Sequence, residues 1–174
     1  MTIKGIDFAA LSLKDALDLA ILIEEEARER YEEFADQMHL HHTPEAAQFF
    51  RFMSGNEEKH RVQLLSRRTE LFGEAPMAVS RQMIFEVEAP EYDEARAFMT
   101  PREALQAAFR AEKKAYAFFN QALPQLREAV VKALFEELRE EEVEHQRLVL
   151  AELDKTPPDP VLRADDFADE PSAQ

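Results

Sequence analysis

Apolar residues recur at three- and four-residue intervals in four long stretches of this chain, which predicts four amphipathic helices. The first runs from about Leu13 to Met38, with Leu17, Ala20, Ile21, Ala27, Tyr31, Phe34 and Met38 on one stripe. Ser12 followed by Asp15 marks its start. The second runs from about Pro44 to Phe72, with Thr43 as N-cap, proline at the first helical position and Gly73 as the stop. The third opens on Thr100-Pro101-Arg102-Glu103, a capping box, and continues to about Leu123. Pro124 interrupts the pattern. The fourth runs from about Gln125 to Asp154, and Pro157, Pro158 and Pro160 forbid its continuation.

The connections set the expected topology. Short links join the first helix to the second and the third to the fourth, so each pair should be antiparallel. Between the pairs lie about 27 residues, Glu74 to Thr100, with no helical period. A helix of ~25 residues is ~38 Å long, a distance that roughly a dozen extended residues span. The linker is therefore long enough to run the full length of a bundle, and Met83–Tyr92 within it reads as a short strand or an extended cover. The expected fold is an all-α four-helix bundle with one long crossover between the second and third helices. Residues 1–155 form one domain, and residues 156–174 read as a mobile acidic tail rich in proline.

The two halves repeat. Ala16-Leu17, Ala20 and Glu24 share their spacing with Ala104-Leu105, Ala108 and Glu112. The following helix in each half carries Phe50, Met53, Glu57, His60 or Phe135, Leu138, Glu142, His145. A glutamate and a histidine thus interrupt an apolar stripe in both. A single Glu-x-x-His means little in a chain with 36 acidic residues among 174, where roughly one histidine in five has an acid three positions upstream by chance. Two such motifs on inward faces, with two further inward glutamates at matched positions, are a different matter.

Four carboxylates in one core need compensation, and two divalent cations would supply it. Carboxylates with one imidazole per metal suit iron or manganese. The expected metal ligands are Glu24, Glu57, His60, Glu112, Glu142 and His145. Glu141, four residues before His145, gives an alternative register for Glu142, whereas Glu58 and Glu144 should face solvent.

Charge and composition narrow the partners. Net charge is −15, which gives no electrostatic reason to bind nucleic acid or an anionic membrane. With no cysteine, the chain has no disulfide, thiolate zinc site or iron–sulfur cluster. No signal peptide or membrane span is visible, so a cytoplasmic protein is expected. Phe49 and Phe118 fall outside the apolar stripes and suggest a homodimer face. His39, His41 and His42 cluster in the first connection, where a solvated role is the ordinary one.

The four-helix order Glu, Glu-x-x-His, Glu, Glu-x-x-His, with a tyrosine seven residues after Glu24, resembles the rubrerythrin branch of the ferritin-like superfamily over roughly Leu13–Asp154. The resemblance implies two iron ions, with manganese or zinc as substitutes. Glu24 and Glu112 would be terminal carboxylates, Glu57 and Glu142 bridging ones, and His60 and His145 terminal imidazoles. It implies an oxidoreductase that reacts ferrous iron with O2 or H2O2, or alternatively a ferroxidase that handles iron. A metal-free helical interaction module is the third reading. Tyr31 is a candidate for hydrogen bonding to the ligands, Tyr116 a weaker one. Two departures stand out. Without cysteine there is no rubredoxin module, so an external electron donor would be needed. The extra carboxylate of peroxidase-type relatives, three residues after the third-helix glutamate, is replaced here by Ala115.

Overall fold

The computed structural model describes residues 6–84 and 100–159. Four long helices carry it: α1 Leu13–Leu40, α2 Pro44–Phe72, α4 Pro101–Ala122 and α5 Ala129–Lys155. A short α3, Arg81–Ile84, follows α2. The start signals act as their chemistry requires. The Ser12 hydroxyl accepts from the Asp15 amide, and at Thr100 both halves of the capping box form, with the Glu103 carboxylate accepting from the Thr100 amide. Gly73 closes α2 at φ 58°, a value glycine adopts without strain.

Several boundaries differ from expectation. Thr43 sits at the N-cap of α2, but its hydroxyl donates to the Met38 carbonyl and does not cap. The fourth long helix begins at Ala129, not near Gln125, because Leu123–Gln125 around Pro124 tightens into a 3-10 turn before the chain extends at Leu126. In the linker, Met83 and Ile84 are helical, not extended, and Ile84 is fully buried. Arg81 forks onto Glu29 at 2.8 Å for both bonds and also reaches Glu25, so the linker leaves α2 across the outer side of α1. The rest of the Met83–Tyr92 segment, and the tail from residue 160, lie outside the described residues.

Two apolar clusters define the directions of the helices. One gathers Leu17 and Ile21 early in α1, Leu64 late in α2, Phe119 late in α4, and Leu134 and Phe135 early in α5. Phe8 closes that end by packing on Phe118 and Phe135. The other gathers Phe34 and Met38 late in α1, Phe50 and Met53 early in α2, Leu105 early in α4, and Val149 late in α5. Hence α2 and α4 both start at the second cluster and end at the first. They run parallel, and the connection between them has to return along the bundle, which is the ferritin-like arrangement.

A buried ion pair that periodicity does not reveal lies at the first end. Asp18 of α1, fully buried, holds Arg68 of α2 at 2.7 Å. Arg68 also donates to the carbonyls of Gly73 and Ala75, tying down the exit from α2. Phe49 and Phe118, expected outside, are half-buried against the two clusters. The exposed large apolar residues of α2 and α5 are instead Phe52, Val62, Leu65, Leu71, Val130, Val143 and Leu150. No helix among the described residues is long and apolar enough to cross a membrane.

Candidate metal centre

Between the two apolar clusters lies a polar layer, built by one turn from each long helix. Helical spacing places it there. Glu24 follows Ile21 on the inward stripe of α1, and Glu112 lies between Ala108 and Ala115 on that of α4. Glu57 and His60 share one face of α2, and Glu142 and His145 one face of α5. All six predicted residues converge. Glu24, Glu57, Glu112, Glu142 and His145 are buried, and the His60 side chain is 21% exposed.

The histidines face each other with ring centroids 5.3 Å apart and planes 10° from parallel. His145 Nδ1 is 3.3 Å from Glu57 Oε1 and 3.4 Å from Glu112 Oε2. His60 Nδ1 is 3.9 Å from Glu57 Oε2 and 3.8 Å from Glu24 Oε2. Glu57 thus presents one oxygen to each imidazole. Three sets of side chains bring one ligand atom each within 4.8 Å of the others: Glu57, His60 and His145; Glu24, His60 and Glu141; Glu112, Glu142 and His145.

This donor set fits cations better than it fits a hydrogen-bonded polar core. Neither Glu112 oxygen has a hydrogen-bond partner, nor does Nδ1 of either histidine, although these atoms are buried. Donors roughly 2.1 Å from one cation stand ~3.0 Å apart at right angles and ~4.2 Å apart across it. The Nδ1-to-carboxylate separations fall in that interval.

The electrostatics carry the same strain. Burial pushes Glu24 up to about 8 and Glu141 up to about 7, because a carboxylate in this layer is poorly solvated. Burial and the neighbouring His145 push His60 down to about 4. Burial also opposes charge on His145, but Glu112, Glu24 and Glu141 outweigh it and its affinity for a proton rises.

The remaining candidates separate cleanly. Glu58 and Glu144 face outward and pair with Arg61 and Arg147. His39, His41 and His42 are exposed and enter no metal-sized group among the described residues. The Tyr31 ring stacks on Phe50, and its buried hydroxyl has no hydrogen-bond partner. It borders, with Glu112, a cavity of about 10 Å³. Tyr116 is half-buried. Along the sequence Glu141 reads only as a replacement for Glu142, whereas both reach the polar layer. The repeat concealed this, since the α2 residue matching Glu141 is Asn56.

Known proteins share this architecture. A crystal structure of an uncharacterized conserved protein from Magnetospirillum magnetotacticum MS-1 is 30% identical, with TM-score 0.70, over 87% of this chain and all of that one. A hypothetical protein from Pyrococcus furiosus, 21% identical, shares the fold with TM-score 0.57 over 83% of this chain and 89% of its own. No curated protein matches. The rubrerythrin family model matches residues 15–153, a span that takes in the whole polar layer and nearly all of the four long helices, and the chain therefore belongs to the rubrerythrin family.

Proposed function

We infer that this protein holds two iron ions in the polar layer and reacts them, as Fe(II), with O2 or H2O2. The observation that carries the reading is the Glu57 carboxylate, which faces both imidazoles while unpartnered donors of Glu112, His60 and His145 surround it. Glu24, Glu57 and His60 would hold one ion, and Glu112, Glu142 and His145 the other. When bound, iron supplies the redox equivalents and activates oxygen.

The chain's own residues shape that chemistry. Four carboxylates neutralise two divalent ions, so a loaded layer is close to balanced in charge. The flanking apolar clusters exclude bulk water from both ends of the layer. Electrons for repeated turnover come from an external donor, since a chain without cysteine has no thiolate iron centre of its own.

The test is metal analysis of the purified protein, then anaerobic addition of Fe²⁺ and separate exposure to O2 and to H2O2. Two irons oxidised per chain and retained support a redox centre. Oxidation of many more irons per chain identifies an iron-handling ferroxidase instead. Absence of metal uptake refutes both.

A further inference from the structure

The polar layer is not symmetric, although the sequence repeat is. On the His145 side every carboxylate is buried. On the His60 side, Glu141 reaches in from α5 with Oε2 3.8 Å from His60 Nδ1, and its side chain remains 27% exposed. Glu141, Glu24 and His60 together form one of the three metal-sized groups. Glu141 also lines a cavity of about 60 Å³ between α2 and α5, with His60, Gln63 and Arg67 on one wall and Glu137 and Leu138 on the other. That volume has room for water beside a cation. The Arg67–Glu137 pair at 3.4 Å is more exposed than Glu141.

We propose that Glu141 is a seventh metal ligand, serving the His60-side ion alone and holding it at the inner end of the cavity between α2 and α5. The proposal rests on the di-metal reading above. Adjacent glutamates do this because consecutive helical residues lie ~100° apart, which lets Glu142 and Glu141 flank the Leu138–His145 stripe and address opposite sides of the layer. The two ions then differ. The His145-side ion would sit among buried donors, and the His60-side ion would face the cavity and the partly exposed Glu141 carboxylate. The His60-side ion is the exchangeable one.

Titration of the metal-free full chain with Mn²⁺, followed by calorimetry and by the resonance of free Mn²⁺, tests this. The wild type should take up two ions per chain with unequal affinities. Glu141→Gln, nearly isosteric, should weaken one of the two by roughly tenfold or more and leave the other unchanged. Glu137→Gln removes a charge from the same cavity but no donor from the layer, and should behave as wild type. If Glu141→Gln binds both ions with wild-type affinity, or if Glu137→Gln weakens binding equally, the proposal is overturned. Failure of the underlying reading looks different: the wild type itself takes up no Mn²⁺, or Glu57→Ala binds two ions as well as wild type does, and the proposal falls with it. Circular dichroism of each metal-free variant establishes that it is folded, and Glu141→Asp, which keeps the carboxylate, should bind the weakened ion more tightly than Glu141→Gln.

Discussion

The imidazoles of His60 and His145 stack 5.3 Å apart, 10° from parallel, with the Glu57 carboxylate spanning them. Stacked imidazoles repel when both are charged, and burial already disfavours charge on His60. Cations between the facing donors would relieve this arrangement, and the expected metal dependence of stability follows from it.

Metal should stabilise the folded chain by ~3–4 kcal/mol at 100–1,000 times the dissociation constant. Glu57→Ala removes the carboxylate that faces both histidines and should abolish this gain while leaving the metal-free protein folded. Glu58→Ala, altering an outward residue paired with Arg61, should keep the gain. Thermal unfolding with and without Mn²⁺ reads both, and a full metal-induced shift in Glu57→Ala would exclude Glu57 as a ligand.

In the metal-free protein, Glu24 keeps its proton to about pH 8 and Glu141 to about 7, whereas unfolded glutamates release theirs near ~4.3. The folded chain then binds more protons than the unfolded chain, and stability falls as pH rises through that interval. His60, held at about 4, acts oppositely, but only up to its unfolded value of ~6.5. His145, raised, loses its stabilising charge above ~6.5 and adds to the fall. Denaturant unfolding of the metal-free protein should therefore lose about 2–3 kcal/mol between pH 6.5 and 8. With saturating Mn²⁺ the loss should vanish, since metal holds the carboxylates ionised. A flat metal-free profile would contradict the burial argument.

Asp18→Ala should cost about 3–5 kcal/mol, because it strands Arg68 in the core. Burial alone would raise the Asp18 carboxyl, but Arg68 and Lys14 outweigh it and hold it below its ordinary value. Its contribution is complete above the unfolded value of ~3.9 and lost as pH falls below it. Replacing both partners, Asp18→Leu with Arg68→Met, should cost less than Asp18→Ala alone. Chemical denaturation of the three variants reads the difference.

Tyr31→Phe removes a buried hydroxyl that has no hydrogen-bond partner in the protein. The metal-free variant should be as stable as wild type or more stable by about 1 kcal/mol. A loss of that size in thermal unfolding would mean that a water in the adjoining cavity pairs the hydroxyl with its surroundings.

Much of this protein is legible along the chain because its determinants are local. The stripe of Leu17, Ile21, Tyr31 and Phe34, the Thr100 capping box and the Glu-x-x-His pairs operate within a few turns of one helix, where 3.6-residue geometry converts spacing into direction. The six converging residues follow from that geometry, repeated in two halves. What the tertiary structure decided depends on residues far apart in sequence. Asp18 meets Arg68 only because α1 and α2 pack antiparallel in one register, and a lone acid on an apolar stripe does not announce its partner. Glu141 reaches His60 only because α5 lies beside α2, so a carboxylate that reads as an alternative to its neighbour Glu142 faces the other side of the layer. Local spacing sets which way a side chain leaves its own helix, and the packing of the four helices sets what it meets.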